Sequence, residues 1–390
     1  MQNQKKLNFI TNFKGILAML VLLHHFALCF YPILVNGVGF DYTNNTSLLH
    51  KIISSPFNIF GYGGSLAVSL FFMISGFLIT YSFYVSNDGN LEKICGKKII
   101  KRYLDLFFPI LFSSIFGYIL GKVFINYNLL DNLLNSSYYQ NLNYNIFNLI
   151  KDSLFSTFIK SNATYNPPLW TMSGEFFGSI LIYIIILLFS KRFEKNIWFY
   201  YFLLIMFFNT NNFYFIMGLI LAKKYIKNKE NFECIKLYKK IIITILIIYL
   251  SGYCYLNSNS TLYQPLTKLF DILPNLGGDS VTIVRNVSTS LIFIFILSSK
   301  IIKKILSFKL FNVFGKYSVE IYLFHWPILY TIILKLTSVL YYKCYYYYYS
   351  TFFGLTIFII LSFFISYLYK NKFNILVEKF KIKIYKLICK

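Results

Sequence analysis

Charge is scarce in this sequence. Asp, Glu, Lys and Arg make up 13% of its 390 residues, against about 25% in a soluble protein. With a hydrophobic share of 57% and aromatics at 21%, that scarcity excludes an ordinary soluble domain and indicates a membrane protein. Cys29, Cys95, Cys234, Cys254, Cys344 and Cys389 are scattered, with no Cys-x-x-Cys and no Cys/His metal spacing, so no metal is expected and the thiols read as isolated small apolar side chains. No internal repeat of fixed period recurs, and no glycine-rich phosphate loop follows a strand pattern. The abundance of Asn, Lys, Ile and Tyr, extreme in "YYKCYYYYY", reads as compositional bias.

The formal net charge of +24 is compatible with a nucleic-acid binder, but the cations fall in short clusters between long apolar runs rather than along one face. No nucleic-acid partner is expected. Apolar runs near span length occur at about 13–34, 65–84, 104–125, 172–190, 197–209, 212–223, 241–256, 286–299, 317–340 and 351–369. The first lacks a following small-residue cleavage site and is expected to be retained as a helix. With ten spans, all but eight of the 38 Lys and Arg residues fall on the side of the N-terminus. The positive-inside rule then predicts an all-α integral membrane bundle with both termini cytoplasmic, and a short basic tail over 370–390. The opposite segments, such as "NYNLLDNLLNSSYYQNLNYN", are rich in Asn, Ser and Tyr. They are too short for a separate enzyme domain, so any chemistry must be built from helices and their connecting loops.

Ionisable residues inside the apolar runs are the candidates for that chemistry. A charge at mid-helix costs on the order of 2.5–3.5 kcal/mol on insertion scales and is functional by default. In "FKGILAMLVLLHHF", Lys14 and His25 are eleven residues apart, so a helix puts them on one face about 16 Å apart, with His24 some 80° away. The plain alternative is a snorkelling lysine and a hydrogen-bonded histidine. "GGSLAVSLFFMISGFLITY" carries Ser65, Ser69, Ser75 and Gly76, which suit close helix packing. "KKIIKRYLDLFFP" places Lys97, Lys98, Lys101 and Arg102 at the cytoplasmic mouth of the third helix, either as a topology anchor or as a site for an anionic group. In "YNPPLWTMSGEFFGS", Trp170 suits an interfacial anchor, and Glu175 enters lipid, where a carboxylate needs a partner. In "FNVFGKYSVEIYLFHWPIL", His325 precedes Trp326 and Pro327. Pro327 has no N–H for the carbonyl of Leu323, so a freed backbone carbonyl is expected beside the histidine.

Together these segments resemble the membrane acyltransferase-3 family, the multi-pass O-acyltransferases of bacterial surface glycans. The likeness runs from Phe13 to about Phe380, a single transmembrane domain over residues 1–390. Lys14-x10-His25 is similar to the family's Arg-x10-His pattern, with lysine in place of arginine. "SLFFMISGFLITY", "LWTMSGEFF" and "GKYSVEIYLFHWPIL" resemble three further family elements, and "LVEKF" near Glu378 resembles a fourth without its proline. The resemblance implies transfer of an acyl group, usually acetyl, from cytoplasmic acyl-CoA to a hydroxyl of a surface polysaccharide or its lipid-linked sugar precursor, in the plasma membrane. It implies His25 as general base or transient acyl acceptor, with Glu175 and His325 orienting it or the acceptor. Lys14, Lys97, Lys98, Lys101 and Arg102 would hold coenzyme phosphates, and Trp170 and Arg285 would contact the acceptor. Asp105 stands where the family often has a further arginine, and as a carboxylate it is expected to repel a phosphate. A glycan flippase and a polysaccharide polymerase are the alternatives. A flippase should show paired broken helices in inverted repeats, and none is visible.

Overall fold

Residues 7–36, 55–85, 91–124, 137–139, 142–189, 197–227, 237–253, 262–272, 279–344 and 346–388 are described by a computed structural model. No strand occurs among them. Among the described residues seven helices are long and apolar enough to cross a membrane: Asn8–Phe30, Ile59–Val85, Cys95–Phe124, Pro167–Phe189, Ser280–Ser298, Lys309–Cys344 and Tyr347–Phe373. Each falls on an expected span. The other three expected spans coincide with helices of 10, 16 and 15 residues, Ile197–Met206, Asn212–Lys227 and Leu237–Ser251. At 1.5 Å per residue these rise about 15 to 24 Å, short of a hydrocarbon core of roughly 30 Å. Seven of the ten expected spans are therefore spans by length and composition. Lys5 and Lys6, the 191–195 cluster, the far end of the 241–256 span and much of the 126–145 segment lie outside the described residues.

In chain order the helices used below are α1 (Asn8–Phe30), α2 (Ile59–Val85), α3 (Leu91–Phe124), α4 (Thr171–Phe189), α5 (Ile197–Met206), α6 (Asn212–Lys227), α7 (Leu237–Ser251), α8 (Ser280–Ser298), α9 (Lys309–Ile328), α10 (Tyr347–Leu368) and α11 (Asn374–Ile388). The chain forms two compact units, Met1–Glu92 with Gly178–Gly315, and Lys93–Phe177 with Lys316–Lys390. Helices α4 and α9 each run from one unit into the other.

In the first unit α2 packs on α1 and, most extensively, on α6. The α2–α6 contact depends on two glycines facing each other's backbones. A Cβ on Gly76 would strike the backbone of Phe215, and one on Gly218 would strike the backbone of Met73. Contacts advance together along the two helices, from Phe72 against Phe215 to Tyr81 against Tyr225 and Lys223 over the Tyr84 ring, so the pair is parallel. Without a hydrophobic driving force in lipid, such close approach is what lets dispersion hold helices together. Phe77 adds edge-on ring contacts to Tyr225 at 5.8 Å and to Phe293 of α8 at 5.3 Å. Near the start of α1 the buried Asn12 donates to the Leu306 carbonyl and the Asn312 side chain, both at 2.7 Å.

The second unit is organised around α3. The Tyr165 carbonyl lies against Gly117, Asn166 against Ser113, and Glu175 against Arg102. The segment entering α4 is thus antiparallel to α3. The C-terminal helices run antiparallel to α3 as well, from Phe112 against Tyr369 at 5.8 Å to Asp105 against Lys381 at 2.8 Å. Before α4, residues 137–139 and 142–165 form a knot of tyrosines tied to backbone. Tyr138 donates to Thr164 at 2.6 Å, Tyr139 to Tyr165 at 2.8 Å and Tyr144 to Tyr139 at 2.6 Å. Burial, with the charge of Asp152 adding, pushes the Tyr138 phenol up to about 12. It remains a proton donor at any physiological pH.

Gly218→Leu is expected to lower the unfolding midpoint of the detergent-solubilised protein markedly, because the obstruction is backbone that cannot rotate away. Overpacking costs about 1–3 kcal/mol where neighbours can yield. Thermal unfolding of Gly218→Leu beside Ile220→Val, a volume change on the same helix, checks it.

Candidate active site

The predicted residues divide between the units. Lys14, His25 and Arg285 lie in the first, and Lys97, Lys98, Lys101, Arg102, Trp170, Glu175 and His325 lie in the second.

In the first unit α1 is one uninterrupted helix, so Lys14 and His25 occupy the same face three turns apart, both half-buried. His24 is fixed. Its ring fills the space that a side chain on Gly64 of α2 would need, and its Nδ1 lies 2.7 Å from the Phe60 carbonyl. A carbonyl only accepts, so Nδ1 carries the proton and Nε2 the lone pair. The His25 ring meets that of His24 edge-on at 5.4 Å. Arg285, near the start of α8, lines a cleft between α2, α7 and α8.

In the second unit His325 is fully buried. Its Nδ1 lies 2.8 Å from the Tyr322 carbonyl and 3.2 Å from that of Ile321, which again assigns the proton to Nδ1 and leaves Nε2 the basic nitrogen. The Leu323 carbonyl, deprived of its helical donor by Pro327, accepts from Ser113 Oγ and Asn166 Nδ2, both at 2.7 Å. Tyr322 donates to the Pro168 carbonyl at 2.7 Å and meets Thr171 Oγ1 at the same distance. The turn before α4, with its Pro167-Pro168 start, is thereby tied to α9 around the histidine. Trp170 closes that turn and is exposed. Beyond Pro327 the helix passes into a π-helical turn, Leu329–Ile333.

Glu175 has its partner in Arg102 Nη2 at 2.9 Å. Two residues expected in separate roles, one orienting and one holding phosphate, therefore form a single ion pair. The other cations of α3 remain at its N-terminal end, Lys97 and Lys98 half-buried and Lys101 exposed. Asp105, expected to repel a phosphate, is itself paired: Lys381 of α11 meets its carboxylate at 2.8 Å and also meets Glu378 at 2.6 Å. Burial opposes the Lys381 charge, yet these two carboxylates outweigh burial and raise its pKa above the ordinary lysine value. With Asp105 neutralised, the lysines of α3 suit a polyanionic group such as coenzyme phosphates. Among the described residues no three His, Cys, Asp or Glu side chains converge as metal ligands would.

The family model for an acyltransferase domain matches residues 7–371. The chain belongs to the acyltransferase-3 family. It is a multi-pass membrane acyltransferase by that membership and by its span-length helices. Comparison with curated proteins and with solved structures gave no match.

Sequence reasoning missed the residues that hold this family member's histidines: Gly64 under His24, and Ser113, Asn166, Thr171 and Tyr322 around His325. Pro327 signalled that the Leu323 carbonyl needed a donor, but not where the donor would come from. The ion pairs of Lys381 with Asp105 and of Lys370 with Glu320, the latter at 2.9 Å, left no local signal.

Replacing both Ser113 and Asn166 by alanine leaves the buried Leu323 carbonyl unanswered, which costs about 1–3 kcal/mol. In a Pro327→Ala background residue 327 regains its N–H, and the same double replacement is expected to cost about half as much. A double-mutant cycle on unfolding midpoints reads the difference.

Proposed function

We propose that this acyltransferase moves an acetyl group from cytoplasmic acetyl-CoA to a hydroxyl of a cell-surface glycan or its lipid-linked precursor. On this reading it sits in the plasma membrane with both termini cytoplasmic. Coenzyme phosphates rest on Lys97, Lys98 and Lys101, while Arg102, paired with Glu175, braces the helix that carries them. The acceptor oxygen attacks the thioester carbonyl carbon as His25 takes the hydroxyl proton. The C–S bond then breaks, and the imidazolium returns its proton to the leaving thiolate. In the covalent variant the imidazole takes the acyl group first and passes it to the hydroxyl, and the products are the same ester and free thiol. His325, buried with its tautomer assigned, and the Glu175–Arg102 pair orient the reacting groups. Trp170, exposed before α4, offers a face for a sugar ring.

The observation that carries the reading is His25: a half-buried imidazole on a membrane helix of a family acyltransferase, beside a histidine already committed to packing. Removing a general base typically costs 10²–10⁴-fold. His25→Ala is therefore expected to abolish ester-linked acetyl groups on surface glycans while the protein still inserts, as mass spectrometry of a deletion strain and its complements will read. Persistent acetylation in that variant sinks the assignment, and a collapse of glycan chain length or export points to a polymerase or flippase instead.

The donor mouth makes a separate prediction. Lys381→Ala exposes the Asp105 charge beside the lysines and should raise the KM for acetyl-CoA by roughly two- to ten-fold, the range of a partly screened charge. Adding Asp105→Asn should restore it.

A further inference from the structure

The cleft beside α2 holds a cation, Arg285, that meets no carboxylate among the described residues. It is walled by Tyr62 and Ser65 of α2, Ser251 of α7, Tyr253, and Arg285 and Ser288 of α8, with leucine and valine side chains behind them. The cavity within it is about 20 Å³, room for about one water, so it suits the edge of a small polar group and not a sugar ring. Among the described residues lining it, Arg285 alone is charged.

Most polar atoms in the cleft are already bonded. Ser65 donates to the Tyr62 carbonyl at 3.0 Å, Tyr253 to Ser280 at 3.1 Å and Ser288 to the Arg285 carbonyl at 3.1 Å. Arg285 uses Nη2 on Thr282 Oγ1 at 3.1 Å. Asp279, the nearest acid in sequence, caps α8 through Val281 N and binds Thr282, at 2.8 and 2.9 Å, rather than the guanidinium. Two buried polar atoms have no hydrogen-bond partner: Arg285 Nε and Ser251 Oγ. A buried guanidinium edge without an acceptor is costly, and its planar fork matches a carboxylate or phosphate. Gly64, on which His24 rests, immediately precedes Ser65 of the cleft wall, but the two point about 100° apart, so α2 presents the histidines and the cleft on different sides.

We infer that this cleft is an acceptor subsite that takes an oxyanion, a uronate carboxylate or the phosphate of a lipid-linked sugar, with Arg285 Nε and Ser251 Oγ as donors. The inference rests on the acyltransferase reading and narrows its acceptor to an acidic one, anchored on the helix that also packs against His24.

The test uses the full chain in phosphatidylcholine nanodiscs with three probes: a neutral methyl glucoside, the matching methyl glucuronide and glucose 1-phosphate. Binding is read as a rise in unfolding midpoint, and transfer from acetyl-CoA as the kcat/KM ratio of each acidic probe to the neutral one. The wild type should prefer an acidic probe, and which of the two acts as ligand identifies the oxyanion source. Arg285→Ala should cut the preference about ten- to a hundred-fold, as loss of a charge-assisted hydrogen bond does. Arg285→Lys should recover part of it and Ser251→Ala should lose less, so the test stands even where the alanine variant of Arg285 fails to fold. Equal response to all three probes, or a preference indifferent to Arg285, overturns the subsite. Arg285-dependent binding without acetyl transfer to any probe supports the oxyanion site and sinks the glycan-acetylation reading.

Discussion

A carboxylate carried into a membrane helix must be answered by a cation that the protein itself holds, because no water is there to solvate it. The second unit meets this constraint three times. Arg102 answers Glu175, Lys370 answers the buried Glu320, and Lys381 answers Asp105. Each pair joins residues far apart in the chain, so each doubles as a tie: α3 to α4, α9 to the turn that follows α10, and α3 to α11. Buried pairs are weak sources of net stability but costly to break, since the surviving partner is stranded. They set which helices are neighbours more than how firmly they adhere.

The same rule applied to backbone explains the surroundings of His325. Pro327 removes one helical donor, and two side chains from elsewhere in the unit, Ser113 and Asn166, supply the Leu323 carbonyl in its place. In water a solvent molecule would serve. In lipid the replacement has to be protein, which forces α3 and the turn before α4 to pack at that depth. Tyr322, one residue before Leu323, binds that turn as well. The ring of His325 is therefore set within a frame whose every member answers a polar group left open by proline or by burial.

What the sequence made legible was periodicity and misfit. Long apolar runs placed the span-length helices, and polar residues inside them marked His25, Glu175 and His325. Pairing was not legible, because a helix pattern states which face is polar and not what will meet it. Glu175 visibly needed a partner, yet nothing local distinguished Arg102 from the other cations of its cluster. Asp105 looked like a repulsive charge because Lys381 lies 276 residues away in sequence. The tyrosines set down to compositional bias were the most misleading. In the segment before α4, Tyr138, Tyr139 and Tyr144 are structural donors to backbone carbonyls.

Arginine shows where fork geometry matters in this chain. Of 38 basic residues only Arg102, Arg192 and Arg285 are arginine, so lysine is the default cation. Where a point charge suffices, as at the mouth of α3 or in the ties of Lys370 and Lys381, lysine is present. Arg102 and Arg285 instead sit inside helices, where a guanidinium presents several donors in a fixed plane and keeps its charge despite burial. Arg102 spends an Nη nitrogen on Glu175, and Arg285 spends one on Thr282 while its Nε edge faces a cleft. Lysine in either place would have a single nitrogen to divide among these demands, and burial would favour its neutral form. Two of the three exceptions to the lysine bias thus fall where a guanidinium is held by a side chain of its own unit, Glu175 for Arg102 and Thr282 for Arg285.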